Sequence, residues 1–150
     1  MATERRDTAK IMLIHGDSVL LCNYAGEPIF HLPGGGIEAG ETPEAALRRE
    51  LREEVGLPLA WCRPVTELDA SYSPFGKPMD RVMEHMHLYA GQLRSMGREG
   101  IRKFERNLNL LWYPLSYIMP GQGPDFQVRP LECLRYIVEV GGQLMGRGYR

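Results

Sequence analysis

The stretch LPGGGIEAGETPEAALRRELREEVGL, residues 32–57, joins three consecutive glycines to a helical pattern rich in carboxylates. Glycine tolerates backbone conformations with positive φ, so the triplet predicts a tight turn. Thr42 and Pro43 suit the N-cap and the first helical position, and Gly56 suits the C-cap. We therefore predict a turn followed by a helix over residues 43–55.

The predicted helix has an apolar face and an acidic face. Leu47, Leu51 and Val55 recur every four residues, so they form a stripe that packs on the core. Three carboxylates lie within one turn on another side: Glu50, Glu53 and Glu54. Such a group is typical of a solvated charged face or of a site for a hard divalent cation, which prefers oxygen ligands. The adjoining glycines favour the cation site.

The spacing of these residues resembles the Nudix box at each of its defining positions. Gly35 is followed after five residues by Glu41 and, after seven more, by Arg49-Glu50-Leu51; Glu53-Glu54 and Gly56-Leu57 complete the box. The resemblance implies an α+β fold, the Nudix α/β/α sandwich with a mixed β-sheet between helices, in a single domain over residues 1–150. It also implies Mg²⁺-dependent hydrolysis of a diphosphate bond in a nucleoside diphosphate linked to another moiety, with Mn²⁺ as the alternative ion.

The same resemblance implies roles for individual residues. Glu53 and Glu54 match the principal metal ligands of the box, and Glu50 matches a third carboxylate that is a ligand or the base that activates water. Gly34 matches the residue whose carbonyl reaches the metal, and Arg49 matches the arginine that holds the acidic residues in place. The implied catalytic set is therefore Glu50, Glu53 and Arg49, and the implied metal ligands are Gly34, Glu50, Glu53 and Glu54.

Other carboxylates leave alternatives open. Glu41 matches a glutamate that is structural or an outer ligand, and a salt bridge to Arg49 is an equal interpretation. Many members of the family use one more glutamate outside the box, for which Glu84, Glu99 and Glu105 are candidates. Loops near a site are adaptable, so Glu99 and Glu105 are favoured over Glu84, which lies on an alternating strand. For each, a plain surface position is the alternative.

Apolar and β-branched runs elsewhere predict a mixed order of strands with a second helix near the end. Residues 1–6 read as a loose leader and 94–107 as loop or short helix. We predict strands over 8–15, 18–24, 29–32, 59–72, 81–93 and 108–115, and a helix over 131–145. Pro64 marks an edge strand or a bulge.

Composition limits the partners and the compartment. The net charge of −1 gives no electrostatic case for a nucleic-acid binder, and no apolar run is long enough to span a membrane. Three dispersed cysteines predict reduced thiols in a cytoplasmic protein. His85 and His87 lie on one side of a strand and suit zinc, but no third ligand at a telling spacing joins them, so an ordinary role is favoured. The expected partner is a small-molecule nucleotide, and a homodimer is compatible with the chain.

The substrate and two rival functions stay open. In the family, a tyrosine or a proline soon after the box helps to distinguish dinucleoside polyphosphates from ADP-ribose, and Tyr72 and Pro74 both fall there, so the two signals cancel. Nucleoside triphosphates and nucleotide sugars are further options. A nucleotide-sensing module without catalysis is the main alternative, although the intact carboxylate set argues against it. Isopentenyl diphosphate isomerisation would need a catalytic cysteine, and no motif supports Cys62 in that role.

Overall fold

The computed structural model describes residues 2–24, 26–56, 58–74, 76–94, 108–117, 128–129 and 133–146. In these residues the chain forms strands and two α-helices. In chain order they are β1 (Thr3–His15), β2 (Ser18–Tyr24), β3 (Phe30–His31), β4 (Gly34–Gly36), α1 (Pro43–Glu54), β5 (Leu59–Tyr72), β6 (Arg81–Leu93), β7 (Leu108–Pro114), β8 (Val128–Arg129) and α2 (Leu134–Gly146), with a 3-10 turn at Leu115–Tyr117 after β7.

The strands form a mixed sheet around β1. The order is β5-β6-β1-β2-β3-β8, with β4 also paired to β1 and β7 to β2. β1 runs parallel to β6 but antiparallel to β2 and β4. Ile11 and Leu13 belong to the core beside α1, whereas Met12 and Ile14 belong to the core on the α2 side. A strand buried on both faces needs a continuous apolar run, which β1 has. The predicted α+β sandwich is confirmed.

Helix α1 begins as predicted. Thr42 is the N-cap with extended backbone, and its hydroxyl accepts the N–H of Ala45 at 3.1 Å. The helix ends at Glu54 and its C-cap is Val55, so the assignment of Gly56 as C-cap is wrong by one residue. Gly56 follows the cap with φ of 78°, the left-handed conformation that glycine adopts without strain.

Two predictions about the site-bearing segments are wrong. The supposed leader is part of β1, which pairs with β6 from Thr3 opposite Arg81. Its first residues are polar and exposed, so no apolar pattern marks them, and backbone pairing holds them. The glycine triplet is not a turn but the short strand β4, in which Gly34 to Gly36 pair with β1. At Gly34, with φ of 131°, a Cβ would lie 2.1 Å from the carbonyl oxygen of Ala9, so the close approach requires glycine.

The remaining elements follow the sequence more closely. Residues 18–24, 59–72 and 81–93 form the predicted strands, and the pairing of β5 with β6 shifts register between Pro64 and Thr66, as a proline at an edge suggests. The strands predicted over 29–32 and 108–115 are shorter, and the last helix begins three residues later than predicted. No helix among the described residues is long and apolar enough to cross a membrane.

Candidate functional site

A cleft of about 670 Å³ opens where β1 and β4 meet the second half of α1 and the ends of β5 and β6. The glycines of β4 line it, together with Glu50 and Glu54 from α1 and Glu84 from β6. Tyr72 and Pro74, the two residues with opposing implications for the substrate, line it as well. The cleft therefore contains the box and residues distant from it in sequence.

Glu54 is the most deeply buried of the three helix carboxylates. The residue is 2% exposed, and its Oε1 accepts the backbone N–H of Gly34 at 2.8 Å. Burial of a carboxylate is costly unless hydrogen bonds or cations compensate, and this donor is one such compensation. The structure thus brings together two of the predicted metal ligands. It shows Gly34 contacting Glu54 through its amide; the predicted role of its carbonyl stays a prediction.

Glu50 and Glu53 differ in exposure. The Glu50 side chain is 15% exposed and its carboxylate packs over Gly35, where a Cβ would come within 2.5 Å of the carboxyl carbon. The Glu53 side chain is 50% exposed, and the described residues that line the cleft include Glu50 and Glu54 but not Glu53. Three carboxylates within one turn thus have different surroundings: Glu54 is buried against the Gly34 amide, Glu50 lies over Gly35, and Glu53 is half exposed.

Arg49 connects the acidic residues. Its guanidinium binds both carboxylate oxygens of Glu41, at 2.8 and 2.9 Å, and donates to Glu50 at 3.0 Å and to the carbonyl of Gly36 at 3.0 Å. Glu53 lies 3.7 Å away. The hydrogen bond from Arg49 holds the pKa of Glu41 down at about 2, and in return Glu41 raises the pKa of Arg49. The salt bridge left open by the sequence is present, and it is bidentate.

Glu84 is a buried carboxylate at the opposite wall of the cleft. It is 4% exposed, and its two oxygens accept hydrogen bonds from the hydroxyls of Thr8 and Tyr72 at 2.6 and 2.7 Å. Burial, followed by the charge of Glu84, raises the pKa of Tyr72, so the phenol keeps its proton and donates. Three strands, β1, β5 and β6, therefore position one carboxylate.

Sequence reasoning ranked Glu84 below the loop glutamates. Glu99 and Glu105 lie outside the described residues. The signal that could have raised its rank is its place between Val82 and Met86 on the buried side of β6, where a charged side chain is costly to bury. Thr8 and Tyr72, its hydrogen-bond donors, carried no such signal.

Negative charge prevails along the cleft. Among the described residues that line it, three carry cationic side chains and six carry carboxylates. The cations are Arg5, Arg6 and Lys10, and the carboxylates are Glu4, Asp7, Glu27, Glu50, Glu54 and Glu84. A polyanionic ligand would be repelled by this excess unless divalent cations offset it.

The histidine pair lies on the same side of β6, as predicted. Asp7 of β1 joins it, and one ligand atom from each of Asp7, His85 and His87 lies within 4.8 Å of the others. A third ligand is thus present in space, although nothing in the spacing of the sequence indicated it. His85 and His87 are not among the residues that line the cleft.

The comparisons with known proteins agree with the box. The sequence profile of the NUDIX domain matches residues 4–132. The RNA pyrophosphohydrolase of Halorhodospira halophila is 51% identical over 53 residues, 35% of this chain and 29% of that protein. The ADP-ribose pyrophosphatase of Mycobacterium tuberculosis is 35% identical over 92 residues, 61% of this chain and 42% of that protein. The chain thus spans less than half the length of these curated relatives.

A solved structure extends the likeness to the fold. The NUDIX domain of Shewanella oneidensis NrtR, complexed with ADP ribose, superposes with a TM-score of 0.63 at 16% identity, covering 96% of this chain and 90% of that one. At this identity the likeness shows the fold alone. Because the profile spans well over half of the sequence, from β1 to just before α2, the chain belongs to the NUDIX domain family.

Proposed function

We propose that this protein hydrolyses a phosphoanhydride bond in a nucleoside diphosphate linked to another moiety, with Mg²⁺, or Mn²⁺ in its place, held by the box carboxylates. The observation that carries the proposal is the meeting of Glu50, Glu54 and Glu84 in one cleft with the glycine strand β4. The names of the curated relatives, a pyrophosphohydrolase and a pyrophosphatase, support the same reaction type.

The donor set fits a hard divalent cation. Glu50, Glu53 and Glu54 offer only oxygen atoms, and Mg²⁺ requires few protein carboxylates because it keeps waters and shares substrate phosphates. The buried Glu54 is already oriented by Gly34, which limits the reorganisation that binding would need. When bound there, the ion would neutralise phosphate charge and lower the pKa of a coordinated water.

The chain's own residues supply the orientation. Arg49 hydrogen-bonds to both Glu50 and Glu41, so these two carboxylates would hold their positions when substrate binds. Glu84 is our choice for the extra glutamate that accepts a proton from water, since Thr8 and Tyr72 fix both of its oxygens at the cleft wall. Glu50 is the second candidate for that base, as the family resemblance allows.

The substrate class follows from size and charge. A cleft of about 670 Å³ lies within the usual range of small-molecule sites, roughly 300–1,000 Å³, and suits a nucleotide derivative. Lys10, Arg5 and Arg6 on β1 provide positive charge for phosphate groups beyond the scissile bond. ADP-ribose, which the NrtR domain binds in its solved structure, is the first compound to test.

The test is a substrate panel with purified protein and Mg²⁺. It contains ADP-ribose, nucleoside triphosphates, dinucleoside polyphosphates, nucleotide sugars and an RNA oligonucleotide with a 5′-triphosphate. We expect turnover of at least one member and a loss of about 10²-fold or more in Glu54→Gln, because the carboxylate would hold the charge-stabilising ion. Glu44→Gln is the matched control, since Glu44 lies on the same helix but does not line the cleft; it pairs with Arg48 and accepts a hydrogen bond from the Cys62 thiol.

The same panel separates the rival functions. Tight nucleotide binding without turnover of any compound would favour the sensing module. Unchanged activity in Glu54→Gln and Glu53→Gln would contradict the assignment of the site. The isomerase reaction is disfavoured by the position of Cys62, whose thiol donates to Glu44 at 3.6 Å and does not line the cleft.

A further inference from the structure

We propose that Asp7, His85 and His87 form a second cation site, separate from the box, that binds a divalent transition metal such as Zn²⁺. These three residues, together with Glu67 and Asp69, are called the imidazole cluster below. One ligand atom from each of Asp7, His85 and His87 lies within 4.8 Å of the others. The proposed ligands differ from those of the box, although Asp7 also lines the cleft, and ion binding here does not depend on hydrolysis.

Strand register assembles the imidazole cluster. On β6, His85 lies between Asp7 of β1 and Asp69 of β5, and His87 lies opposite Glu67 of β5. Residues two apart on a strand face the same side of the sheet. Three neighbouring strands therefore place two imidazoles and three carboxylates on one face, in two adjacent rows. Asp7 and His85 are 78 residues apart in sequence, so only the parallel pairing of β1 with β6 brings them together.

The distances suit a tetrahedral metal. Zn²⁺ lies about 2.0–2.2 Å from nitrogen and oxygen ligands, so adjacent donor atoms in a tetrahedral site are about 3.3 Å apart. In the imidazole cluster, His87 Nε2 lies 3.1 Å from Asp7, a spacing that suits two ligands of one ion, and the other ring nitrogen of His87, Nδ1, lies 3.5 Å from Glu67. His85 Nε2 lies 2.9 Å from the same Glu67 oxygen. Glu67 faces the other nitrogen of His87 and is therefore placed to orient that ring, while water would complete the coordination of the ion.

The His85 ring already has a carboxylate partner of the kind that orients metal-binding histidines. A ligating histidine commonly donates its other ring N–H to a carboxylate, which fixes the tautomer and the ring orientation. Asp69 lies 2.7 Å from His85 Nδ1 and can fill this role, which leaves Nε2 directed at Glu67. The two rings are close, with centroids 5.0 Å apart.

Charge and ligand type favour a transition metal over Mg²⁺. With neutral imidazoles, the imidazole cluster carries three negative charges from Asp7, Glu67 and Asp69, which a dication would offset. Imidazole is a preferred ligand of Zn²⁺, Cu²⁺ and Ni²⁺, whereas Mg²⁺ selects oxygen donors. The box offers oxygen donors, so the two sites should select different ions. Since His85 is about 43% exposed in its side chain and His87 about 22%, an ion can reach them from solvent.

The test uses the full chain without a histidine tag, at slightly alkaline pH and with excess Mg²⁺ to saturate the box. Zn²⁺ is titrated by calorimetry, and Co²⁺ is followed by its visible absorption, which is strong for tetrahedral sites. We expect one ion per chain that Mg²⁺ does not displace. Each of Asp7→Asn, His85→Gln and His87→Gln should weaken binding by about tenfold or more, because losing even an outer partner costs about 10–100-fold.

Two matched controls separate this site from other histidines and from the box. His15→Gln removes one imidazole elsewhere, and Glu54→Gln alters the proposed hydrolytic site; both should keep the Zn²⁺ affinity of the wild type. On the wild-type protein, Zn²⁺ should shift the ring signals of His85 and His87 in NMR spectra while those of His15 stay in place. This second readout needs no variant to fold.

Binding should also stabilise the fold, since the metal would connect β1, β5 and β6. An ion at 100-fold excess over its dissociation constant adds about 2.7 kcal/mol, so Zn²⁺ should raise the melting temperature of the wild type by about 5 °C or more. Absence of Zn²⁺ binding when Mg²⁺ is present would overturn the proposal. So would equal affinity in His85→Gln, His87→Gln and the wild type. Neither result would bear on hydrolysis.

Discussion

Replacing Gly35 by alanine should lower catalysis while leaving the fold in place. A Cβ at Gly35 would lie 2.5 Å from the carboxyl carbon of Glu50 and 2.6 Å from its Oε1. Ordinary contacts begin at 3.4 Å, so the carboxylate has to move by about 1 Å. Glu50 is a proposed ligand or base, and a misplacement of that size costs about 10²-fold in rate.

Stability should change little in the Gly35→Ala variant. Moving the carboxylate weakens the ion pair between Glu50 and Arg49, which for a partly exposed pair contributes at most about 1 kcal/mol. Alanine offsets part of this, because it restricts the unfolded chain and contributes about 0.4–1 kcal/mol. The free energy of unfolding should therefore stay within about 1 kcal/mol of the wild type.

The neighbouring glycines provide controls of opposite kind. A Cβ at Gly36 meets nothing within 4 Å, so Gly36→Ala should keep both activity and stability. A Cβ at Gly34 would lie 2.1 Å from the backbone oxygen of Ala9, at φ of 131°. Strain and overpacking together should cost Gly34→Ala roughly 2–6 kcal/mol and disturb the pairing of β4 with β1.

Two measurements check this series. Urea unfolding gives stability, and kcat/KM at saturating Mg²⁺, on whichever substrate the panel yields, gives activity. Wild-type kcat/KM in a folded Gly35→Ala variant would refute the reasoning about Glu50. An equal loss in Gly36→Ala would show that any side chain in β4 is harmful, and the contact with Glu50 would then not be the cause.

Three further changes test single interactions. Thr42→Ala removes the N-cap hydroxyl of α1 and should lower the free energy of unfolding by about 1 kcal/mol in urea, whereas Thr42→Ser should not. The hydrogen bond from Arg49 keeps the pKa of Glu41 at about 2 in the folded state, against 4.5 for the free group. The stabilisation that this ion pair gives to the fold is therefore complete above pH 4.5 and is lost as the pH falls toward 2. Glu41→Gln should flatten the dependence of unfolding free energy on pH in that window, and an unchanged dependence would contradict the salt bridge. Tyr72→Phe removes a hydrogen-bond donor from the buried carboxylate of Glu84, so it should lower the free energy of unfolding in urea by about 1.5–3 kcal/mol and also lower kcat/KM. Wild-type values of both quantities would show that Thr8 alone is enough to position Glu84.

The helix of the box was the most predictable element. Thr42 and Pro43 mark its start through local chemistry, and the stripe of Leu47 and Leu51 marks its buried face. Both signals depend on residues within a few positions of each other, so the sequence contains them in full. The strands over 59–72 and 81–93 were also predicted with their full bounds, because β-branched and aromatic residues recur in both, although Pro64 interrupts the first.

The N-terminal part of β1 could not be predicted from the sequence pattern, and the reason is physical. Residues such as Glu4, Arg5 and Arg6 are exposed on the strand and carry no apolar alternation. They are extended because their backbone pairs with β6, some 78 residues later. Long-range pairing leaves no local signature, and the same is true of β4, whose glycines disfavour a strand until β1 lies alongside.

The residues of the candidate site show the same difference between local signals and long-range contacts. The resemblance to the box identified Glu50, Glu53 and Glu54 but not their unequal burial, which depends on how α1 packs against the glycines. Glu84 could be nominated from its position on β6, yet its donors come from β1 and β5. The candidate glutamates could not be ranked correctly from one sequence, because the contacts that distinguish them join distant strands.

The parallel pairing of β1 with β6 has a consequence for when the candidate site can form during synthesis. Thr8 and Glu84, which share a hydrogen bond, are separated by 76 residues, and closing so large a loop is slow compared with forming a helix or a hairpin. On the ribosome, the box is complete long before β6 emerges. A nascent or truncated chain ending after α1 would carry every residue of the motif and still lack one wall of the cleft. Competence for the proposed hydrolysis should therefore appear late in synthesis, once β6 has emerged and paired with β1.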